Sequence, residues 1–245
     1  MDILDGFGRF DFSGPLAAGE SVSHPVYVLG EGPPIVIWQE LPGIGVSTAD
    51  LARKIAAEGY RVYLPHMFGP LGKFQLGRNL LRLFCMRREF HLFAAGKSSP
   101  IVNWMAALCR EVSARNNGQK VGTLGMCLTG GFALTLMADD AVLGGVAAQP
   151  SLPMFKQGAL HMSEAEIAAA KAGMAAKGGA MAMRYQGDML CKSAKTDAIT
   201  AAFGDLVTVH QLDGKKHATL TDHWSDEAWA HMIGYFNAAC KGARV

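Results

Sequence analysis

The sequence has little excess charge and no long apolar run. Its 23 lysines and arginines nearly balance its 21 aspartates and glutamates, which leaves a formal net charge of +2. A chain so close to neutrality produces no long-range field for nucleic acid or for an anionic membrane surface. No stretch reaches the roughly 18 apolar residues that a membrane-spanning helix needs. We therefore expect neither a nucleic-acid partner nor a membrane partner.

Cysteines are also few, and their spacing indicates no pairing. The five lie far apart, without a C-x-x-C pair, at Cys85, Cys109, Cys127, Cys191 and Cys240. An odd, dispersed set predicts neither a disulfide framework nor a zinc site. The amino terminus lacks the basic and apolar regions of a secretory signal. We expect a protein of the reducing cytoplasm that uses no metal and no other cofactor.

Half of the sequence is hydrophobic, and no repeat or low-complexity linker divides it. Short β-compatible runs alternate with helical patterns along most of its length. The predicted strands are 26–29, 35–38, 61–64, a run from Val121 towards Cys127, 142–148, 180–185 and 206–210. Helical patterns cover 48–58, 100–113, the stretch after Gly130, 163–173, 192–203 and 226–239. This alternation predicts a single α/β domain over residues 1–245, with a mostly parallel, doubly wound sheet.

Two segments do not follow the alternation. Residues 1–24 are expected to be an irregular or edge-strand lead into the first clear strand. Residues 66–98 mix leucines with arginines in a helix-like pattern, which predicts a cap-like or substrate-side helical segment. Its arginines are candidates for binding an anionic substrate, although a solvated helix face is the commoner explanation of such a pattern. They are Arg78, Arg82, Arg87 and Arg88.

One strand-to-helix turn carries a candidate nucleophile. The run from Val121 ends in Gly125-Met126-Cys127-Leu128-Thr129-Gly130-Gly131, and an Ala/Leu-rich helical pattern follows. This is the layout of a nucleophile elbow, usually G-x-S-x-G, in which glycines let strand and helix pass closely while the nucleophile adopts a strained backbone conformation. A lone cysteine in an apolar stretch is more often a core residue. Catalysis by Cys127 would require a base and an orienting acid.

Asp188 and His217 are the preferred partners of Cys127. Functional groups in an open α/β sheet gather at the carboxyl ends of strands, and both residues follow predicted strands. Their order along the chain, nucleophile, acid and then histidine, matches the α/β-hydrolase arrangement. Asp188 could also be an ordinary turn aspartate after Gly187. The other candidates lie in or beside helices, strands or turns; they are Asp197, Asp205, Asp213, His210, His223 and His231.

Glu40 follows the predicted strand 35–38 and is a fourth candidate. An idle buried glutamate would be costly, so we expect Glu40 to exchange a proton or a hydrogen bond with Cys127. The alternative is a loop residue that faces solvent. The backbone N–H groups of Leu41 and Leu128 occupy the positions expected for an oxyanion hole, because one donor follows the nucleophile and the other follows the early strand.

Together, these motifs resemble the dienelactone hydrolases of the α/β-hydrolase superfamily. The resemblance rests on Gln39-Glu40-Leu41-Pro42-Gly43, the elbow, Gln186-Gly187-Asp188 and Gly214-Lys215-Lys216-His217, and covers roughly residues 25–240. It implies the α/β-hydrolase fold, a triad of Cys127, His217 and Asp188, and a glutamate, Glu40, that interacts with the thiol. The sequence departs from the family's Gly-x-Cys-x-Gly-Gly elbow at Thr129. Family members that act on the dienelactone hold its carboxylate with arginines, and Arg78, Arg82, Arg87 and Arg88 lie in the corresponding region.

The expected function is hydrolysis of a lactone or a small carboxylic ester through an acyl-thioester on Cys127. The alternative from another class is a non-catalytic or redox-sensing protein on a hydrolase scaffold, because a reactive exposed thiol is also open to oxidation. Thioester or haloacid hydrolysis at the same site is a third interpretation. The sequence has no signature of the natural substrate or of the oligomeric state.

Overall fold

One sheet contains the eight strands that we identify in a computed structural model, which describes residues 2–16, 19–41, 43–69, 71–72 and 96–242. The sheet order is β1-β2-β4-β3-β5-β6-β7-β8. Pairs β1–β2 and β2–β4 are antiparallel, and all remaining pairs are parallel. The strands are β1 (Gly8–Pro15), β2 (Ser21–Leu29), β3 (Pro34–Trp38), β4 (Arg61–Pro65), β5 (Val121–Met126), β6 (Val142–Ala148), β7 (Ala180–Tyr185) and β8 (Val207–Leu212).

Helices cover both faces of the sheet. They are α1 (Val46–Ala57), α2 (Ile101–Arg115), α3 (Gly130–Thr135), α4 (Glu164–Lys177), α5 (Ser193–Phe203) and α6 (Asp226–Phe236). One apolar core includes Ile55 of α1 and Phe236 of α6. The core on the other face includes Trp104 of α2, Met174 of α4 and Phe203 of α5. The predicted doubly wound α/β architecture is confirmed, and it is the α/β-hydrolase fold.

The central strands are apolar along their whole length because both of their faces are covered. Every residue of β3 is buried, as expected for a parallel strand between two helical layers. In β5, Gly122 lets a helix approach closely, since a Cβ atom at this position would lie 2.9 Å from the ring of Phe236. Strand β5 is therefore buried in the centre of the sheet. The turn with Cys127 follows directly at its carboxyl end.

Of the two alternatives for residues 1–24, the structure contradicts the irregular lead and confirms the edge strand. Residues of β1 and β2 pair in antiparallel register from Gly8↔Val28 to Pro15↔Ser21. The physical reason is a short alternation in β1, in which Phe10 and Phe12 turn towards α2 while the residues between them stay exposed. The ring of Phe12 makes an edge contact with Trp104 at a centroid distance of 5.5 Å. The lead is thus the outer hairpin of the sheet.

Helix α4 begins where the sequence predicts, but it ends later than predicted. At the start of α4, Ser163 and Glu166 form a reciprocal capping box, as their spacing predicts. That helix continues beyond Gly173 and ends at Gly178, whose φ of 88° closes it. In α1, which begins at Val46, Ser47 donates its hydroxyl to Asp222.

The predicted cap-like segment over 66–98 lies mostly outside the described residues. Arg78, Arg82, Arg87 and Arg88 are all among the residues outside them, so their role in substrate binding stays a prediction. Among the helices in the part of the chain that the structure describes, none is both long enough and apolar enough to cross a membrane.

Candidate active site

Cys127 sits at a sharp turn immediately after β5. Its φ of 53° is in the left-handed region, which residues other than glycine rarely adopt. Neighbouring glycines permit the turn, because a Cβ at Gly125 would come within 2.5 Å of the Thr129 carbonyl oxygen, and one at Gly130 within 2.8 Å of Pro150 Cα. The turn therefore has the close backbone crossing and the strained central residue of a nucleophile elbow.

Thr129 stands where the family pattern has glycine, and its hydroxyl holds the turn together. The Oγ1 atom accepts a hydrogen bond from Met126 N at 3.1 Å. Its own hydrogen is directed at the carbonyls that end β3, with Trp38 O at 2.9 Å and Gln39 O at 3.1 Å. The side chain is fully buried. Threonine at this position thus supports the elbow and joins it to the end of the neighbouring strand.

Asp188 and His217 meet at the carboxyl ends of β7 and β8. His217 Nδ1 lies 2.7 Å from Asp188 Oδ2. The other oxygen, Oδ1, accepts the amides of Leu190 at 2.8 Å and Cys191 at 3.0 Å. Nearby, Gly187 N donates to Gly214 O at 2.8 Å and ties the two loops together. The carboxylate is therefore fixed by its own loop while it orients the imidazole.

A buried guanidinium holds the loop of Asp188. Arg184, at the end of β7, is only 3% exposed. It donates from Nε to Cys191 O at 2.6 Å, from Nη2 to Gln186 O at 2.8 Å, and from Nη1 to Gln211 Oε1 at 2.7 Å. Because these acceptors flank Asp188 on both sides, Arg184 sets the path of the loop that presents the acid.

The second ring nitrogen of His217 faces the region of the thiol. Nε2 is buried and has no hydrogen-bond partner among the described residues. Cys127 Sγ lies 3.4 Å from the hydroxyl oxygen of Ser151. Burial of the ring disfavours its charged form, but the hydrogen bond to Asp188 and the nearby Cys127 outweigh burial and raise the pKa of His217 to about 10.

Glu40 is buried beside this group, so the alternative of a loop residue facing solvent is wrong. It is 6% exposed. Thr221 donates its hydroxyl to Oε1, and Gln149 Nε2 lies 3.4 Å from Oε2. Burial raises the pKa of Glu40, and the bond from Thr221 and the charge of His217 only partly oppose that rise. Its predicted exchange with the Cys127 thiol stays a prediction.

Gln149 connects Glu40 to the histidine loop. It directly follows β6, is fully buried and has a φ of 37°. Its Oε1 accepts the Thr219 hydroxyl at 2.6 Å and the Thr219 amide at 3.3 Å. Thr219 and Thr221 both belong to the loop after His217. The ends of β3 and β6 therefore clamp the loop that carries the imidazole.

The residues predicted to form an oxyanion hole are Leu41 and Leu128. Leu128 lies in the first turn of the helical segment that begins at Cys127, and amides in a first turn have no acceptor within their own helix. Leu41 follows Glu40 in the loop after β3. Thr129 joins the start of this loop to the elbow, because its hydroxyl lies 3.1 Å from Gln39 O. The part of Leu41 and Leu128 in an oxyanion hole stays a prediction.

The structure brings together Cys127, Asp188 and His217, the predicted triad, whose catalytic roles stay a prediction. Sequence reasoning did not identify the residues that contact them. Gln149 and Ser151 directly follow β6, so the rule that functional groups gather at strand ends could have identified them. Thr221, Thr219 and Arg184 act through contacts to distant loops, for which the sequence has no local pattern.

Comparison with solved structures shows the same fold at low sequence identity. A dienelactone hydrolase-like promiscuous phosphotriesterase from metagenomic libraries superposes with a TM-score of 0.64 and 14% identity, over 94% of this chain and 98% of the other. An esterase from Pyrococcus furiosus superposes with a TM-score of 0.62 and 11% identity, over 96% of this chain and 92% of the other. Comparison with curated proteins gave no sequence match.

At such low identity, the structural likenesses show the fold but not the family. A sequence model of a protein family assigns the family. The model of the dienelactone hydrolase family matches residues 21–239. This range runs from the start of β2 to the turn after α6, and so includes the elbow and the loops of Asp188 and His217. The chain belongs to the dienelactone hydrolase family.

Proposed function

We propose that the protein hydrolyses a lactone or a small carboxylic ester through a Cys-His-Asp triad. The observation that carries the proposal is the 2.7 Å contact between His217 Nδ1 and Asp188 Oδ2, beside a cysteine held at φ 53°. A nucleophile, a base and an orienting acid are the three groups that covalent acyl transfer requires. The free thiol that this reaction needs also supports the predicted location in a reducing cytoplasm.

In the proposed reaction, the Cys127 thiolate attacks the acyl carbon and a tetrahedral oxyanion forms. The amides of Leu41 and Leu128 stabilise that oxyanion. The oxyanion collapses, the bond between acyl carbon and alkoxy oxygen breaks, and the His217 imidazolium protonates the departing alkoxide. Neutral His217 then takes a proton from water, and the resulting hydroxide attacks the thioester. The carboxylic acid leaves, and the proton held by His217 balances the regenerated thiolate.

Side chains near the site support a substrate with an uncharged, apolar part. Phe155, Met189 and Leu190 are exposed, and the last two directly follow Asp188. Their loops are joined where Lys192 N approaches Gln157 Oε1 at 3.4 Å. Exposed apolar side chains on adjacent loops suit an apolar acyl or alcohol group better than a second charge.

The test compares hydrolysis of p-nitrophenyl acetate by the wild-type protein and by Cys127→Ala. We expect turnover to disappear in the variant, and mass spectrometry of the wild-type protein to show an acetyl group on Cys127. Cys240→Ala is the matched control, because Cys240 is a free, half-buried cysteine on the turn after α6, and it should keep full activity. Full activity in Cys127→Ala would refute the mechanism.

A further inference from the structure

A small pocket lies at the opposite end of the sheet from the elbow. Its volume is about 320 Å³, and its lining includes Arg9, Arg61, Arg115, Tyr63 and Phe10. Arg61 is the first residue of β4 and Arg115 is the last residue of α2. Two of the arginines thus come from different elements that converge on one space.

Arg61 is the unusual member of this group. Its Nε is buried without a hydrogen-bond partner, and its side chain makes no ion pair with any residue in the described ranges. A buried guanidinium nitrogen ordinarily has a partner, because leaving it unpaired costs desolvation energy. Arg61 points to the same sheet face as Tyr63, two residues further along β4. That face is the one covered by α2, since Asn116 Nδ2 donates to the Tyr63 hydroxyl at 2.8 Å.

The neighbouring groups are oriented and retain unused donors. The Arg115 guanidinium lies over the Phe10 ring, 4.1 Å from its centroid, and its Nε donates to Glu111 at 2.7 Å. These contacts orient the guanidinium while both of its terminal nitrogens keep donors for a ligand. The Tyr63 hydroxyl accepts from Asn116 and retains its own hydrogen. The helix dipole alone could explain why a cation, Arg115, lies at the carboxyl end of α2. It does not explain the unpaired guanidinium nitrogen of Arg61, which lies on a strand.

We propose that this pocket binds a phosphate-type oxyanion, either free or as the phosphate group of a small metabolite. Two guanidinium groups and one hydroxyl, from Arg61, Arg115 and Tyr63, line the pocket. This number of donors suits a tetrahedral group with several acceptor oxygens better than a carboxylate with two. Arg9 contributes less, because it pairs with Asp11 at 3.0 Å.

The pocket is separate from the catalytic centre. Sheet register aligns Arg61 with Pro34, and Ile35 with Gly122. Arg61 is therefore level with the start of β5, while Cys127 lies six residues further along, at roughly 20 Å for a strand rise of about 3.3 Å per residue. A ligand in this pocket would not compete with an ester at Cys127, so substitutions here can be judged without disturbing the triad.

The experiment titrates the full chain with inorganic phosphate by calorimetry at low ionic strength, in a buffer without competing anions. We expect saturable binding that weakens at least about tenfold in Arg61→Gln and in Arg115→Gln. Arg110→Gln is the matched control, because Arg110 lies on α2 but pairs with Asp139, and it should bind like the wild-type protein. Acetate should bind much more weakly than phosphate.

Hydrolysis of p-nitrophenyl acetate by Arg61→Gln provides the folding check, and it should match the wild-type rate. If Arg61→Gln does not fold, Arg115→Gln decides, because Arg115 is exposed. Absence of saturable phosphate binding in the wild-type protein, or unchanged binding in the arginine variants, would overturn the proposal. Equal affinity for acetate would overturn the phosphate assignment.

Discussion

The two carboxylate oxygens of Asp188 have different tasks. Oδ2 lies 2.7 Å from His217 Nδ1, while Oδ1 accepts the amides of Leu190 and Cys191. The amides of its own loop therefore fix one carboxylate oxygen, while the other orients the histidine. With Oδ1 already bound to two amides, rotation of the carboxylate would break two hydrogen bonds, so the imidazole faces a fixed partner.

Asp188→Asn should lower kcat/KM for p-nitrophenyl acetate about a thousandfold, because an amide group at this position no longer enforces the correct tautomer of His217. Steady-state kinetics measure the loss. Asp213→Asn is the control, since Asp213 is exposed in the turn before His217, and it should leave the rate unchanged. A loss of less than tenfold in Asp188→Asn would show that Asp188 is not the orienting acid.

Glu40→Gln should change how stability depends on pH. Burial raises the pKa of Glu40, so the folded state holds the proton more tightly than the unfolded state does. The free energy of unfolding of the wild-type protein therefore falls as pH rises from the ordinary carboxyl range, near 4.3, through the raised pKa. The variant lacks this term, so its stability relative to wild type should increase from pH 4 to pH 8 in urea titrations.

The control for Glu40 is Glu31→Gln, an exposed position in the turn before β3. Its stability relative to the wild-type protein should stay nearly constant over the same pH interval. A flat difference between Glu40→Gln and the wild-type protein would show that Glu40 is as well solvated or paired when folded as when unfolded.

Thr129→Val should destabilise the protein by about 1–3 kcal/mol, because the variant keeps the shape but leaves the buried Met126 amide and the β3 carbonyls without the hydroxyl. Urea unfolding measures the loss. Thr135→Val is the control, because the Thr135 hydroxyl bonds only back to Gly131 O within α3, and its cost should be well below 1 kcal/mol. Equal costs for the two variants would refute a special role of Thr129 at the elbow.

Two adjacent glycines should respond to alanine in opposite ways. A Cβ at Gly130 would lie 2.8 Å from Pro150 Cα, whereas one at Gly131 meets nothing within 4 Å. Gly130→Ala should destabilise the fold by about 1–3 kcal/mol through overpacking. Gly131→Ala should be neutral or stabilising by up to about 1 kcal/mol, because it restores helix propensity. Thermal unfolding of both variants measures the difference, and a reversal of this order would contradict the close crossing at the elbow.

Hydrophobic periodicity was enough to predict the parallel sheet and the loops that carry the site. Continuous apolar runs such as 35–38 and 142–148 are typical of parallel strands buried on both faces. The ends of the predicted runs 121–127 and 180–185 placed Cys127 and Asp188 on loops at one edge of the sheet. An edge strand was only one of two alternatives for the stretch that forms β1, because its alternation is short and only partly buried.

The missing parts of the site depend on contacts between residues distant in the chain. Thr129 bonds to Trp38 across 91 positions, and Thr221 bonds to Glu40 across 181. In the sequence, threonine at 129 looked like a departure from the elbow pattern. Only the folded chain provides the carbonyls that make its hydroxyl useful.

If Cys127 is the nucleophile, as we propose, its backbone conformation has a consequence for relatives that no longer catalyse the reaction. A side chain at φ 53° costs about 1–2 kcal/mol, which glycine would avoid. In a relative that is no longer selected for turnover, replacement of this cysteine by glycine or asparagine would increase the stability of the folded protein. Among relatives with this elbow, position 127 should therefore be an early marker of descendants that have kept the scaffold and abandoned the reaction.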